Sequence, residues 1–389
     1  MSDFFKGRLA SLCIALFGCC VAAPITSAET LDTAAPMAFL MEVKTGSVLY
    51  AKAAEKTFQP AGLSRIMTAA TVFKALKDVE VTEAQECKVS EHAWRTGGAP
   101  AGGTTMFAEL GSSISVLDLL KGLLVHQAHD AAIILAECLD GDEKTFADRM
   151  TAYAREIGLT NSQFLSPAGF DVDGAATTVE DMATLGFHML QEFPDRYPLF
   201  ALNEFTWNDI YQRNRNPLIG EMRGLDGLGT GSSEKGGFAS LASLNRDGRR
   251  VIAVVAGSPS AKARIKALKQ VVDGAWDYFS VRQLYSKGDV VAMARVFGGI
   301  ESEVPLIAER NIAVLLPKSG ALGYKLRVTY SGPVVAPVEP GKRVGKLRVF
   351  SGDRQVHHVG LLTGGKRIEK GDLLSRAKDS LGELLFGWL

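Results

Sequence analysis

The 389-residue chain carries no net charge, because 43 lysines and arginines balance 43 aspartates and glutamates. Without a field of one sign, nothing draws the chain as a whole toward nucleic acid or an acidic surface. Past the N-terminus no apolar run is long enough to span a bilayer. The clustered glycines Gly227, Gly229 and Gly231 do not make a dinucleotide fingerprint, since the third glycine of that pattern is absent and no helix follows. His126, His129 and Asp130 lie together, yet their spacing is not the i, i+4 pair of zinc peptidases and no glutamate lies between the histidines. No metal or cofactor is expected. Cysteine is scarce too. Of five, Cys13, Cys19 and Cys20 crowd the N-terminus, leaving Cys87 and Cys138 in the body of the chain. Two cysteines in an oxidising compartment can pair, but no spacing argument brings these together, so two separate buried thiols are expected.

What is present begins with a processing segment. Lys6 and Arg8 precede an apolar run over 9–23, and Thr26-Ser27-Ala28 supplies a cleavage site, so 1–28 reads as a signal peptide and the protein as exported. Leu16-Phe17-Gly18-Cys19 weakly resembles a lipoprotein signal, but Phe17 fits poorly there, and simple export is the reading adopted. Length, a hydrophobic fraction of 47% and a charged fraction of 22% describe a globular chain with room for two domains.

The mature chain opens with two strands, 38–43 and 46–50, around Lys44-Thr45-Gly46. Apolar spacing predicts helices over 63–76, 116–124, 130–139, 144–157 and 179–192. Strands return at 238–244 and 251–257 around the turn Asn245-Arg246-Asp247-Gly248, and a helix follows over 261–278. After about residue 284 valine, glycine and proline dominate, and short alternating runs separated by turn signals read as a small all-β module, 284–370. The end, 371–389, places Leu373, Leu374, Ala377, Leu381, Leu384, Leu385 and Trp388 on one helical face. That face either lies in a membrane interface, which Phe386 and Trp388 favour, or packs on its own domain.

Three stretches carry the functional signal: Gly62-Leu63-Ser64-Arg65, Gln127-Ala128-His129 and Gly229-Thr230-Gly231. Their frames resemble the Ser-x-x-Lys, Ser-x-Asn and Lys-Thr-Gly motifs of the penicillin-binding D-alanyl-D-alanine carboxypeptidases. Lys44-Thr45-Gly46 is a decoy, because it precedes the helical region that the third motif should follow. Segments 159–164, 177–183, 214–216 and 341–345 also sit where similar family segments sit. The resemblance covers essentially the whole mature chain. It implies an α/β (α+β) transpeptidase-like domain over 29–283, a small β sandwich over 284–370 and an amphipathic helix over 371–389 on the membrane surface. It also implies a periplasmic place on the outer face of the inner membrane and a part in peptidoglycan metabolism.

Every side chain that would do the family's chemistry is replaced. Gly62 offers no nucleophile. Arg65 carries a guanidinium that stays protonated and cannot act as base. Ser64 is about 200° around the helix from position 62 at ~100° per residue, so it is expected to pack or cap elsewhere. Gln127 and His129 stand for a hydroxyl and an amide. His129 is able to act as a base, but without a nucleophile it supports only attack by water. Gly229 removes the cation of the third motif, whereas Thr230, Gly231 and Ser233 keep an edge where an extended peptide can add as a strand. The resemblance assigns Arg215 and Arg264 to the terminal carboxylate of the peptide, and with Arg65 they are expected to form an electropositive pocket. The backbone amides near Gly62 and Ser232 would remain as an oxyanion pocket. Three readings follow. The chain is a silent relative that binds stem peptide or a partner enzyme; or it is an active carboxypeptidase or a hydrolase repurposed around His129; or it is an envelope scaffold that binds through its β module.

Overall fold

A computed structural model of the protein describes residues 31–318, 324–351 and 354–373. The expected signal peptide and cleavage site, the first three cysteines and the apolar stripe from residue 374 onward lie outside the described residues.

The chain starts with a hairpin, β1 (Met37–Glu42) and β2 (Val48–Lys52), whose turn holds the decoy Lys44-Thr45-Gly46. A helical region follows: α1 (Ser64–Lys77), β3 (Glu86–Lys88), α2 (Glu91–Gly97), β4 (Ser113–Ser115), α3 (Val116–Val125), α4 (His129–Asp140), α5 (Glu143–Glu156) and α6 (Val179–Glu192). A small hairpin, β5 (Glu204–Trp207) with β6 (Ile210–Arg213), leads to the long strands β7 (Leu225–Ser233), β8 (Gly237–Arg246) and β9 (Arg249–Ser258), and then to α7 (Ala261–Asp277). The helix starts have a local cause. Ser90, Ser115, Asp142, Thr178 and Ser260 each accept a hydrogen bond from the backbone N–H three residues on, a cap contributing typically ~1 kcal/mol.

The long strands join the first hairpin in an antiparallel sheet of order β2-β1-β9-β8-β7. β8 and β9 sit at its centre and are buried on both faces, which is why they read as near-continuous apolar runs. On one face Leu241, Ile252 and Val254 join the core of α1, α3, α4 and α6. On the other, Leu244, Val251 and Val255 meet Leu268, Val271 and Val272 of α7. α1 is buried nearly all round, so it is a central helix and not an amphipathic cover.

The cysteine expectation is overturned. Cys87 in β3 and Cys138 in α4 form a disulfide, with Cα atoms 5.5 Å apart. Sequence spacing is blind to this contact. It arises because the β3–β4 pair lies against α4, a tertiary adjacency between residues 51 positions apart.

The second domain is all β. β10 (Phe279–Tyr285) pairs with β13 (Ile312–Pro317). β11 (Val290–Phe297), β12 (Glu303–Ala308), β14 (Tyr324–Tyr330), β15 (Val334–Val335), β16 (Arg343–Ser351) and β17 (Arg354–Thr363) form a sheet of order β14-β16-β17-β12-β11-β15. Leu306, Leu347, Val359 and Leu361 centre its core. His357 is buried: strand alternation turns it inward and His358 outward. Among the described residues no helix is long and apolar enough to cross a membrane.

Candidate active-site cleft

Gly62 sits in a single 3-10 turn, Ala61–Leu63, that runs directly into α1. Edge strand β7 presses on this turn. A Cβ on Gly231 would lie 2.8 Å from the Leu63 nitrogen and 3.0 Å from that of Gly62, so only glycine permits the approach. From the other side comes the loop 166–170. Gly169, at φ +80°, leaves no room for a side chain against the carbonyl of Ala61 and the Cα of Gly62.

Arg65 fills the centre. A Cβ on Gly62 would stand 2.4 Å from its Nη2, so the guanidinium occupies the space into which a side chain at 62 would project. Arg65 is 8% exposed and held from two directions: Nη1 donates to the Ala168 carbonyl at 2.8 Å and Nη2 to Gln127 Oε1 at 3.1 Å. Gln127 Nε2 in turn donates to Thr230 Oγ1 at 3.4 Å. The chain Ala168–Arg65–Gln127–Thr230 thus ties loop 166–170, α1, the α3–α4 turn and β7 across the cleft. Gln127 makes this bridge from the left-handed region, φ +57°, because it occupies the tight turn between α3 and α4. What space remains between Gly62, Arg65, Gln127, Gly229 and Thr230, with Leu123 and Phe200 behind, is about 10 Å³, near the least that holds one water.

The electrostatics follow from burial. Desolvation, and then the Arg215 cation, lower the Arg65 pKa to about 10. At pH 7 that leaves roughly one guanidinium in a thousand neutral, so Arg65 is a fixed charge and not a base. His129, the first residue of α4, is pushed down to about 4 by burial, then by Arg65 and Arg215. It is neutral at pH 7, and with so low a pKa it is a weak base. Its backbone N–H donates to the Thr104 carbonyl, and its ring meets Phe170 edge-on at 4.8 Å. Asp130 beside it is committed to structure, accepting hydrogen bonds from Thr105 Oγ1 and from the Met106 and Ala108 nitrogens.

The remaining expected residues are not all brought together. Gly229 faces Ile66, 3.3 Å from where a Cβ would be, so the vanished cation is replaced by apolar contact. Ser233 accepts from the Gly236 nitrogen and donates to Gln59 Oε1, within the β7–β8 turn. Ser64 is buried, as a packed hydroxyl would be. Arg215 is exposed and its charge reaches Arg65 and His129; no carboxylate among the described residues pairs with it. Arg264 is buried beside Phe238, the residue of β8 opposite Ser232 of β7, with an unpartnered Nε, and desolvation lowers its pKa. The charges felt at Arg65 and His129 are those of Arg65 and Arg215. Sequence reading missed loop 166–170, whose Ala168 carbonyl and Phe170 ring complete the cleft; its only signal was the turn-forming Pro167-Ala168-Gly169.

Comparison with known proteins bears directly on this frame. The profile of the D-alanyl-D-alanine carboxypeptidase family, peptidase S11, matches residues 24–260, and that of the penicillin-binding protein 5 C-terminal domain matches 279–369. The chain belongs to the D-alanyl-D-alanine carboxypeptidase family. It is 31% identical to the D-alanyl-D-alanine carboxypeptidases DacD and DacC of Escherichia coli K12, over 87% of this chain and 88% and 86% of theirs. Among solved structures it is similar to penicillin-binding protein 5 of Haemophilus influenzae, with a TM-score of 0.74, 27% identity, and 87% and 98% of the two chains covered. Penicillin-binding protein 6B of E. coli gives a TM-score of 0.67 at 28% identity, with 87% and 98% covered.

Proposed function

We propose that this chain is an exported, catalytically silent member of its family that holds peptidoglycan stem peptide, or a partner enzyme, without cleaving it. The observation that carries the reading is the Arg65 guanidinium lying where a nucleophile at 62 would project. Acyl transfer needs an oxygen there and an adjacent group able to take its proton. Gly62 supplies no oxygen, Arg65 stays charged, and His129 is a weak base. In a serine protease, loss of the nucleophile alone costs ~10⁶-fold in turnover. Binding is left to the edge at Thr230 and Gly231, where an extended peptide adds as a strand, and to Arg215, whose unpaired charge suits a terminal carboxylate. The site is proposed to face the periplasm, with the apolar C-terminal stripe holding the protein on the membrane surface.

The test has two arms. Incubation with a labelled β-lactam is expected to give no covalent adduct by mass spectrometry; a stoichiometric adduct on any serine ends the reading. Titration with a peptide ending in D-alanyl-D-alanine is expected to show millimolar to high-micromolar binding, weakened by Arg215→Ala. Release of D-alanine by the purified protein, abolished by His129→Ala, would replace the proposal with a hydrolase.

A further inference from the structure

Charge is absent from the chain as a whole but not from its parts. Residues 279–370 hold fifteen lysines and arginines against seven aspartates and glutamates, a net charge of +8. Part of this excess gathers on one face of the second domain. Residues directly opposite in a sheet share a face, and Arg327 of β14 lies opposite Arg348 of β16, Thr329 opposite Lys346, and Arg348 opposite His358 of β17. Phe350 joins the face, with the Arg327 guanidinium 5.4 Å from its ring centre. No carboxylate among the described residues pairs with Arg327, Lys346 or Arg348. Cross-strand arginines are mutually repulsive, so the arrangement is relieved by an anion.

The same strand is a free edge. Among the described residues β14 pairs only with β16 and is last in the sheet order. Six of its seven residues are exposed, with Val328 intermediate. Edges are commonly protected by charged side chains, proline, a bulge or a covering element; β14 carries Lys325 and Arg327 but has no proline or glycine and runs in unbroken register over seven pairs. Its two faces differ. Lys325, Arg327 and Thr329 form the basic row, while Tyr324, Leu326, Val328 and Tyr330 form an apolar one, with Tyr324 48% and Leu326 39% exposed. A second copy pairing edge to edge would set basic row against basic row, so the charge pattern disfavours self-addition.

We propose that β14 accepts an extended segment of a partner protein in which acidic residues alternate with apolar ones. Its backbone completes the open edge, its carboxylates meet Arg327 and Arg348, and its apolar side chains continue the row of Leu326 and Val328. This surface is independent of the cleft and does not depend on the reading given for it.

The probe is a fluorescent seven-residue peptide alternating glutamate and valine, titrated against the full chain by anisotropy. Saturable binding is expected. It should be about tenfold weaker with R327E/R348E, absent for a lysine–valine peptide, and lost when alternate peptide nitrogens are methylated, which leaves charge intact. Equal affinity for the methylated peptide overturns strand addition. So does absence of binding by wild-type protein whose circular dichroism shows an intact sheet. Capture on phosphatidylglycerol vesicles without peptide binding would assign the face to lipid and end the proposal.

Discussion

Gly62 and Arg65 are best understood as one substitution, not two. A serine at 62 would bring its Cβ to 2.4 Å from Arg65 Nη2, and the guanidinium is held by Ala168 and Gln127. Gly62→Ser alone is therefore expected to cost about 1–3 kcal/mol by overcrowding, read as a lowered urea midpoint. Gly62→Ser with Arg65→Lys should recover most of that loss, because the slimmer ammonium frees the position. Equal stability of the single variant and the wild type would show that Arg65 moves aside freely. The motif frames made these positions legible in sequence. Their coupling was not, since contact between a backbone and a side chain one turn away depends on where the guanidinium is tied.

Two histidines make a second case at this scale. His129 and His357 are both lowered from 6.5 to about 4, in each case first by burial. Between those values the unfolded chain binds protons that the folded chain refuses. Stability conferred by the neutral rings is thus present above about 6.5 and is lost as pH falls toward 4. Proton NMR should show both rings titrating near pH 4. A midpoint near 6.5 for either would mean that the ring is open to water.

Among the elements, α4 carries the most constraint. It begins at His129, its Asp130 fixes residues 105–108, and Cys138 bonds it to β3. Closing a loop of 51 residues restricts the unfolded chain, and by the chain-entropy account this contributes about 2–4 kcal/mol. Reduction, or Cys87→Ala with Cys138→Ala, is expected to lower the unfolding free energy by that much, read as a lowered urea midpoint, and to leave the carboxypeptidase-like fold in place by circular dichroism. An unchanged midpoint would show that packing alone holds β3 on α4. Helices such as α6, whose Thr178 cap and apolar period both lie in sequence, were readable to the residue. β3 and β4 were not, because three-residue strands leave too short a pattern to register.

For the whole molecule, a neutral sum conceals a separation. With +8 in residues 279–370, the rest of the chain carries −8. The protein should therefore bind a cation-exchange resin at low salt despite its isoelectric point near neutrality, and R327E/R348E should elute at lower salt. Passage of the wild type through the resin unretained would show that neighbouring acids neutralise the basic face.

The local code reached far in this chain. Helical period, capping residues, strand alternation and three motif frames are written in neighbouring residues, so they named the fold and marked the missing nucleophile, base and cation. The disulfide, the burial of Arg264, the packing of loop 166–170 on the Gly62 turn and the guanidinium lodged beside Gly62 were decided only in three dimensions. Each depends on which distant surfaces pack against one another. Packing is a property of the assembled core that no short window of sequence contains.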